Sequence, residues 1–262
     1  MDENQMIAKL TEVAKERSKD IYDDGLKPAT REAGEAFQAI VGLFNNVVLY
    51  PVKKANITFK YKLERFEQDL KIELDKIPDE KLIEPPLTIA GPTLEALKYT
   101  FDTKELREMY INLLATSMNV DTVRFSHPAY VDIIKQMSKL DAIVFQVIAK
   151  IVQIPCANIR FTFGTKMYSD AMPEIFIPHL LDTEDPFLIS LIVQNLCRSG
   201  VITYSDSIIT GYDYDSFKDH EFVKSRFERY KGINSKEETK IAISKQTVFL
   251  SDLGKNFAKA CL

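Results

Sequence analysis

Apolar residues recur at helical spacing through most of the first half of the chain. Between Asn4 and Tyr22, Met6, Ile7, Leu10, Val13 and Ala14 make one stripe opposite a strongly charged face, and Asp23-Asp24-Gly25 ends it. Beyond Pro28, a second helix carries Ala29, Ala33, Ala36, Phe37, Ile40, Val41, Phe44, Val47 and Val48 on one side, with no charge from Ala36 to Val52. A third, Ile57 to Ile77, places Phe59, Leu63, Phe66, Leu70, Leu74 and Ile77 three and four apart. That narrow seam needs one partner helix, from the second helix or from another copy of the chain. Ile77-Pro78 and Glu84-Pro85-Pro86 then break the pattern, since each proline disfavours helix at itself and before itself.

From Ile89 to Ile154 helix signals follow one another almost without loops. Gly91-Pro92 and His127-Pro128 each put a proline where a helix can begin. Asp102 with Glu105, and Ser138 with Asp141, are spaced as capping boxes. Lys104 to Met118 presents Leu106, Met109, Tyr110, Leu113, Leu114 and Met118 as a broad buried face. Leu140 to Ile154 is a strongly apolar helix.

After Ile154 the period changes. Asn158 to Phe163 alternates as a short strand, Pro186 to Gly200 reads as a helix ending in Ser-Gly, and Val201 to Tyr204 is a strand. A second strand covers Ile241 to Leu250 and turns directly into a last helix at Ser-Asp-Leu-Gly. Helix, strand, returning strand and helix in this order point to a winged-helix-like end. Its hairpin connection is unusually long, about Ser205 to Lys240, with a charged helix of its own near Asp215 to Tyr230. The fold expected is therefore mainly α: a helical N-terminal region over 1–84, a central helical block over 85–137, and a winged-helix-like α+β domain with a long inserted wing over 138–262.

Composition narrows the chemistry. A net charge of −4 supplies no overall basic excess for nucleic acid. Cys156, Cys197 and Cys261 lie far apart with no CxxC spacing, which suits a reducing compartment and neither a disulfide framework nor a zinc site. The charged, periodic N-terminus is neither a secretory signal nor a transit peptide, so a cytoplasmic protein is expected. No phosphate loop, dinucleotide fingerprint, nucleophile elbow or zinc helix occurs. His127, His179 and His220 are isolated, with His127 placed to accept from helix N–H groups. Glu105 and Glu108 are expected at a cap and in solvent, not as an acid–base pair. Glu238-Thr239-Lys240 is the pattern a metal nuclease uses, without a supporting ligand set. No cofactor or metal is expected.

Two surfaces remain. The uncharged run is shorter than the roughly 20 apolar residues a spanning helix needs, so it reads either as a buried helix or as one lying at a membrane interface. In the second case Phe37, Ile40 and Phe44, with Lys53, Lys54 and Lys60, form a membrane or partner surface. At the other end, Gln194, Asn195 and Arg198, with Lys224, Arg226 and Arg229 in the insertion, form a nucleic-acid or partner surface. That set is thin for phosphates and base edges, and acidic residues surround the insertion's cations.

The run AGPTLEALKYTFDTKELREMYINLLATSMNVDT from Ala90, followed by HPAYVDIIKQMSKLDA from His127, resembles the bacterial abortive-infection alpha family. Ala90-Gly91-Pro92, Leu94 to Leu97, Glu105-Leu106-Arg107, Leu113 to Ala115, Ser117-Met118, His127-Pro128, Ile133 to Gln136 and Leu140 to Ala142 carry the match. The resemblance implies defence against phage, in which an infected cell stops growing or dies, and brings no catalytic residues. Three mechanisms follow as expectations. The first is action by binding a protein partner, a second copy or the inner membrane surface, as a cytoplasmic protein peripheral to that membrane. The second is a winged-helix regulator of nucleic acid, and the third a nuclease whose site the motifs do not reveal.

Overall fold

Two units form in the computed structural model, which describes residues 33–44, 57–163, 167–169, 171–178, 180–181, 185–231 and 238–262. One comprises the described residues up to Lys135, with Cys261; the other runs from Gln136 to Ala260, with Leu262. The protein is mainly helical, with one antiparallel sheet.

The first unit holds α1 (Ala33–Phe44), α2 (Ile57–Leu74), α3 (Leu87–Thr100), α4 (Lys104–Ser117) and α5 (Ala129–Lys135). The stripe on α1 and the seam on α2 meet as their spacing requires: Ala36, Ile40, Val41 and Phe44 are buried, as are Phe66, Leu70 and Leu74. Phe44 and Phe66 stack with ring centroids 4.1 Å apart, and Phe101 closes on Phe44 at 5.9 Å. The expected face of α4 is fully used, with Met109, Tyr110, Leu113 and Leu114 at 0% exposure.

Two helix starts differ from the sequence expectation. α3 begins at Leu87, not at Gly91-Pro92, because Pro86 already serves as its N-cap and its carbonyl accepts from the N–H groups of Ile89 and Ala90. Pro92 therefore sits inside the helix with its ring exposed, and supplies no N–H to the carbonyl four residues before it. α4 is capped by Thr103 without a side-chain bond, and Asp102 instead pairs with Lys62 at 2.8 Å. The expected Asp102–Glu105 capping box does not form, because the Asp102 carboxylate is drawn to the lysine. His127 behaves as its position suggests: its Nδ1 accepts from the N–H of Ala129 at the start of α5. The proline-rich stretch before α3 is held in place, since Ile83 donates to Met118 O and Val120 donates to Lys81 O.

The second unit contains α6 (Lys139–Lys150), β1 (Ile154–Phe163), β2 (Met167–Ser169), α7 (Pro186–Arg198), β3 (Ile202–Ser205), α8 (Glu221–Tyr230), β4 (Thr239–Leu250) and α9 (Asp252–Cys261). The Ser138–Asp141 capping box at α6 is complete, with both reciprocal bonds made. Strand order is β2-β1-β4-β3, all antiparallel, and β1 pairs with β4 from Ile154↔Val248 to Phe163↔Thr239. One face of β1 buries Ala157, Ile159, Phe161 and Phe163 against Phe176, Tyr214, Phe217 and Val223, with Phe222, Phe227 and Tyr230 of α8 packed on them. On α6 and α9, Phe145 and Phe257 meet at 5.1 Å.

The connection between β3 and β4 is not one continuous helix from Asp215. It forms a 3-10 segment over Tyr214–Asp219 and then α8, separated at His220. His220 caps α8 by accepting from Phe222 N–H, so the chain must leave helical geometry there. The Tyr214 hydroxyl accepts from Ile209 N–H and donates to Gln246 O, which fastens the connection to β4.

α7 ends in a Schellman turn: Gly200, at φ 78°, donates to Cys197 O and Val201 donates to Leu196 O. The Ser251 side chain accepts from Gly254 N–H and donates to Gly200 O, while Ser251 N–H donates to Val201 O. The first turn of α9 thus lies directly on the Gly200-Val201 backbone.

Candidate functional site

α7 starts at Pro186, with the Asp185 carboxylate accepting from Phe187 N–H at 2.9 Å. Its inner side buries Ile189, Ser190, Ile192, Val193 and Leu196. Phe187, Leu191, Gln194 and Arg198 follow one another at i, i+4, i+7 and i+11, which puts them on a single stripe of the helix. Phe187 is 37% exposed and Leu191 63%. Neither residue is singled out by the sequence pattern, yet the same helical arithmetic that places Gln194 and Arg198 outward places them there too.

The polar side chains expected to read nucleic acid are already engaged. Asn195 donates to Asp141 Oδ1 at 3.0 Å, so the carboxylate that completes the α6 capping box also anchors α7. Gln194 donates to Ser190 Oγ, which itself accepts from Ile175 N–H. Arg198 donates to Gln136 Oε1 and Asn195 Oδ1, both at 2.9 Å. On α8, Lys224 pairs with Asp219 at 3.1 Å, and the Arg226 guanidinium lies over Phe187 and Phe222 at 5.1 and 5.3 Å. Arg229 is exposed in the last turn of α8.

At the other end, Ile40 and Phe44 are 4% and 0% exposed and Phe37 is half-buried, so the apolar face of α1 is spent within the first unit. Lys53 and Lys54 lie outside the described residues, as do the first helix expected from Asn4 to Tyr22 and His179; Lys60 falls in α2, its side chain not among those described. Among the described residues no helix is long and apolar enough to cross a membrane.

Three cavities are lined by described residues. One of ≈ 580 Å³ brings together Ser216, Asp219 and His220, the residue types of a nucleophilic triad. Ser216 Oγ donates to Asp213 O, His220 Nδ1 accepts from Phe222 N–H, and Asp219 pairs with Lys224. The geometry is that of caps and an ion pair. A second, ≈ 410 Å³, lies beside Phe37, Lys71, Leu74 and Asp79 in the first unit. The third, ≈ 300 Å³, covers the polar face of the sheet at Asn158, Ser244 and Gln246. Glu238 and Lys240 pair with each other at 3.4 Å, and no group of three or more metal-ligating side chains occurs among the described residues.

The cysteines are poor nucleophiles. Burial pushes the Cys156 thiol up to about 12, with a further contribution from Cys197, and burial alone takes Cys197 to about 11. Cys261 is raised well above the ordinary thiol range by complete burial. A thiol, not a thiolate, therefore stands at each position at neutral pH. In the unfolded chain these groups lose their protons near 9. Stability contributed by the protonated thiols is full below that pH and falls as pH rises toward 11 and 12. The expected loss is about 1.4 kcal/mol per pH unit for each thiol in that window. Urea unfolding at neutral and alkaline pH measures it; a midpoint unchanged up to the raised values contradicts the burial assigned to these groups.

A family model described as abortive infection alpha matches residues 58–261, and the chain belongs to that family. No curated protein and no solved structure matches it.

Proposed function

We propose that the protein serves abortive infection, the role the family suggests, by binding a protein partner and not by catalysis. The observation carrying this reading is the division of labour on α7 and in the cavities. Polar and titratable side chains are committed to caps, ion pairs and helix anchoring, while Phe187 and Leu191 stay exposed. An acid–base or nucleophilic site needs such groups free to meet a substrate.

The second unit is read as a winged-helix-like module. α6, β1, α7, β3 and β4 occur in that module's order, and the sheet order β1-β4-β3 matches it, with α8 inserted in the wing. Among the described residues between β2 and α7, no helix stands where that module has its second. Duplex readout is disfavoured because α7 would present a phenylalanine and a leucine where polar donors read base edges. Membrane contact through α1 is disfavoured by the burial of Ile40 and Phe44. A cytoplasmic site of action fits three cysteines, none in a disulfide.

The test is phage challenge of cells carrying Glu105→Ala, Ser216→Ala, Glu238→Ala or Lys240→Ala. Protection is expected to persist in all four. Loss of protection in any one that still unfolds at the wild-type urea midpoint points to catalysis and sinks the binding reading.

A further inference from the structure

We infer that the outward stripe of α7 is a docking face for an acidic amphipathic helix of another protein, an inference that rests on the binding reading above. Phe187 and Leu191 form its apolar centre. At one end stands the Arg226 guanidinium, lying over the Phe187 and Phe222 rings; at the other stands Arg198, exposed and donating to two neutral amides. Among the described residues the partners of these two cations are rings and amides, and neither makes an ion pair with a carboxylate. Eleven residues separate Phe187 from Arg198, roughly 16 Å along a helix.

Charge complementarity therefore specifies the occupant. It carries two carboxylates about three helical turns apart, with leucine- or phenylalanine-sized groups between them at i, i+3 or i+4 spacing. Guanidinium groups favour carboxylates because they offer paired donors, and two aromatic rings hold Arg226 at the end of the stripe. A phosphate backbone would satisfy the two charges, but the exposed apolar centre would then lie against a polar groove. Asn195, the residue best suited to adenine, is held by Asp141.

Fluorescence anisotropy of the full chain tests this with three probes. These are an eighteen-residue helical peptide bearing a Leu/Phe stripe between Glu residues eleven positions apart, its Glu→Lys counterpart, and a duplex oligonucleotide. The acidic peptide is expected to bind, and to weaken at least about tenfold with Leu191→Asp, equivalent to 1.4 kcal/mol or more. The Arg198→Glu/Arg226→Glu variant should exchange its preference toward the lysine peptide. Leu191 is exposed, so its substitution leaves folding intact, checked by an unchanged urea midpoint. Equal binding of the two peptides, no binding of either, or indifference to Leu191→Asp overturns the inference. So does duplex binding that the arginine variant abolishes and Leu191→Asp leaves intact, which assigns the face to nucleic acid. The wider reading fails by its own test, which uses none of these residues.

Discussion

Gly254→Ala is expected to unfold the second unit. A Cβ at Gly254 would stand 1.7 Å from Val201 O and 2.7 Å from Val201 C. Both are backbone atoms, and they cannot swing aside. Val201 is tied to Leu196 O by the Schellman turn and to Ser251 N–H through its own carbonyl. The first turn of α9 would have to lift away from the end of α7, exposing Phe257 and Ala260, each at most 1% exposed. Overpacking a core usually costs about 1–3 kcal/mol. A backbone clash with no rotamer escape should exceed about 4 kcal/mol, the exceptional end of single substitutions. Gly91→Ala is the internal control, because a Cβ there meets nothing within 4 Å. It should stabilise α3 by roughly 0.5–1 kcal/mol. Urea unfolding of the two variants separates close approach from glycine content; equal midpoints would refute the close approach.

The second large effect lies in the first unit. Arg107, 8% exposed, donates through Nε to Asp69 Oδ2 at 2.9 Å and through Nη1 to Phe101 O at 2.7 Å, with its guanidinium 5.2 Å from the Phe101 ring centre. Arg65 also reaches Asp69, at 3.0 Å, from the exposed side of α2. Removing one partner strands a charge in a largely dry place, so Arg107→Ala is expected to cost about 3–5 kcal/mol. Asp69→Ala should cost at least as much, because it strands the buried Arg107 guanidinium, whereas Arg107→Ala leaves Asp69 its Arg65 partner. Replacing both, Arg107→Met with Asp69→Leu, should recover most of the loss, because an apolar pair carries no desolvation penalty. A double-mutant cycle on urea midpoints measures the coupling, and additive losses would contradict a shared buried pair. Arg107 falls in the ELREMY segment by which the family was recognised. Its role there is to join α2 to α4.

Much of the architecture was readable because it follows from repeating spacing. The stripe on α1, the seam on α2 and the face of α4 are set by positions three and four apart, and the Ser138–Asp141 box is a local pattern needing only four residues. Failures came where a competing partner lay far off in sequence. Asp102 left its cap for Lys62, forty positions earlier. The start of α3 moved to Pro86 because two proline signals compete within six residues, and spacing alone does not rank them. His220 divided a charged segment that composition presented as one helix.

The candidate surface was half visible for a related reason. Gln194, Asn195 and Arg198 were recognised as polar, but their commitment to Ser190, Asp141 and Gln136 depends on tertiary contacts. Phe187 and Leu191 drew no notice in the sequence, because apolar residues on a helix are usually buried. Their position on the wheel said otherwise. Ile40 and Phe44, conversely, were offered as a membrane surface in one reading, and a stacked ring on Phe66 uses that surface instead.

The part of the protein expected to act is the exposed face of α7. The most direct measurement of this is the efficiency of plating of a restricted phage on cells expressing Leu191→Asp at wild-type levels. The expected result is loss of protection by a variant whose urea midpoint equals that of the wild type. Full protection by Leu191→Asp would contradict it.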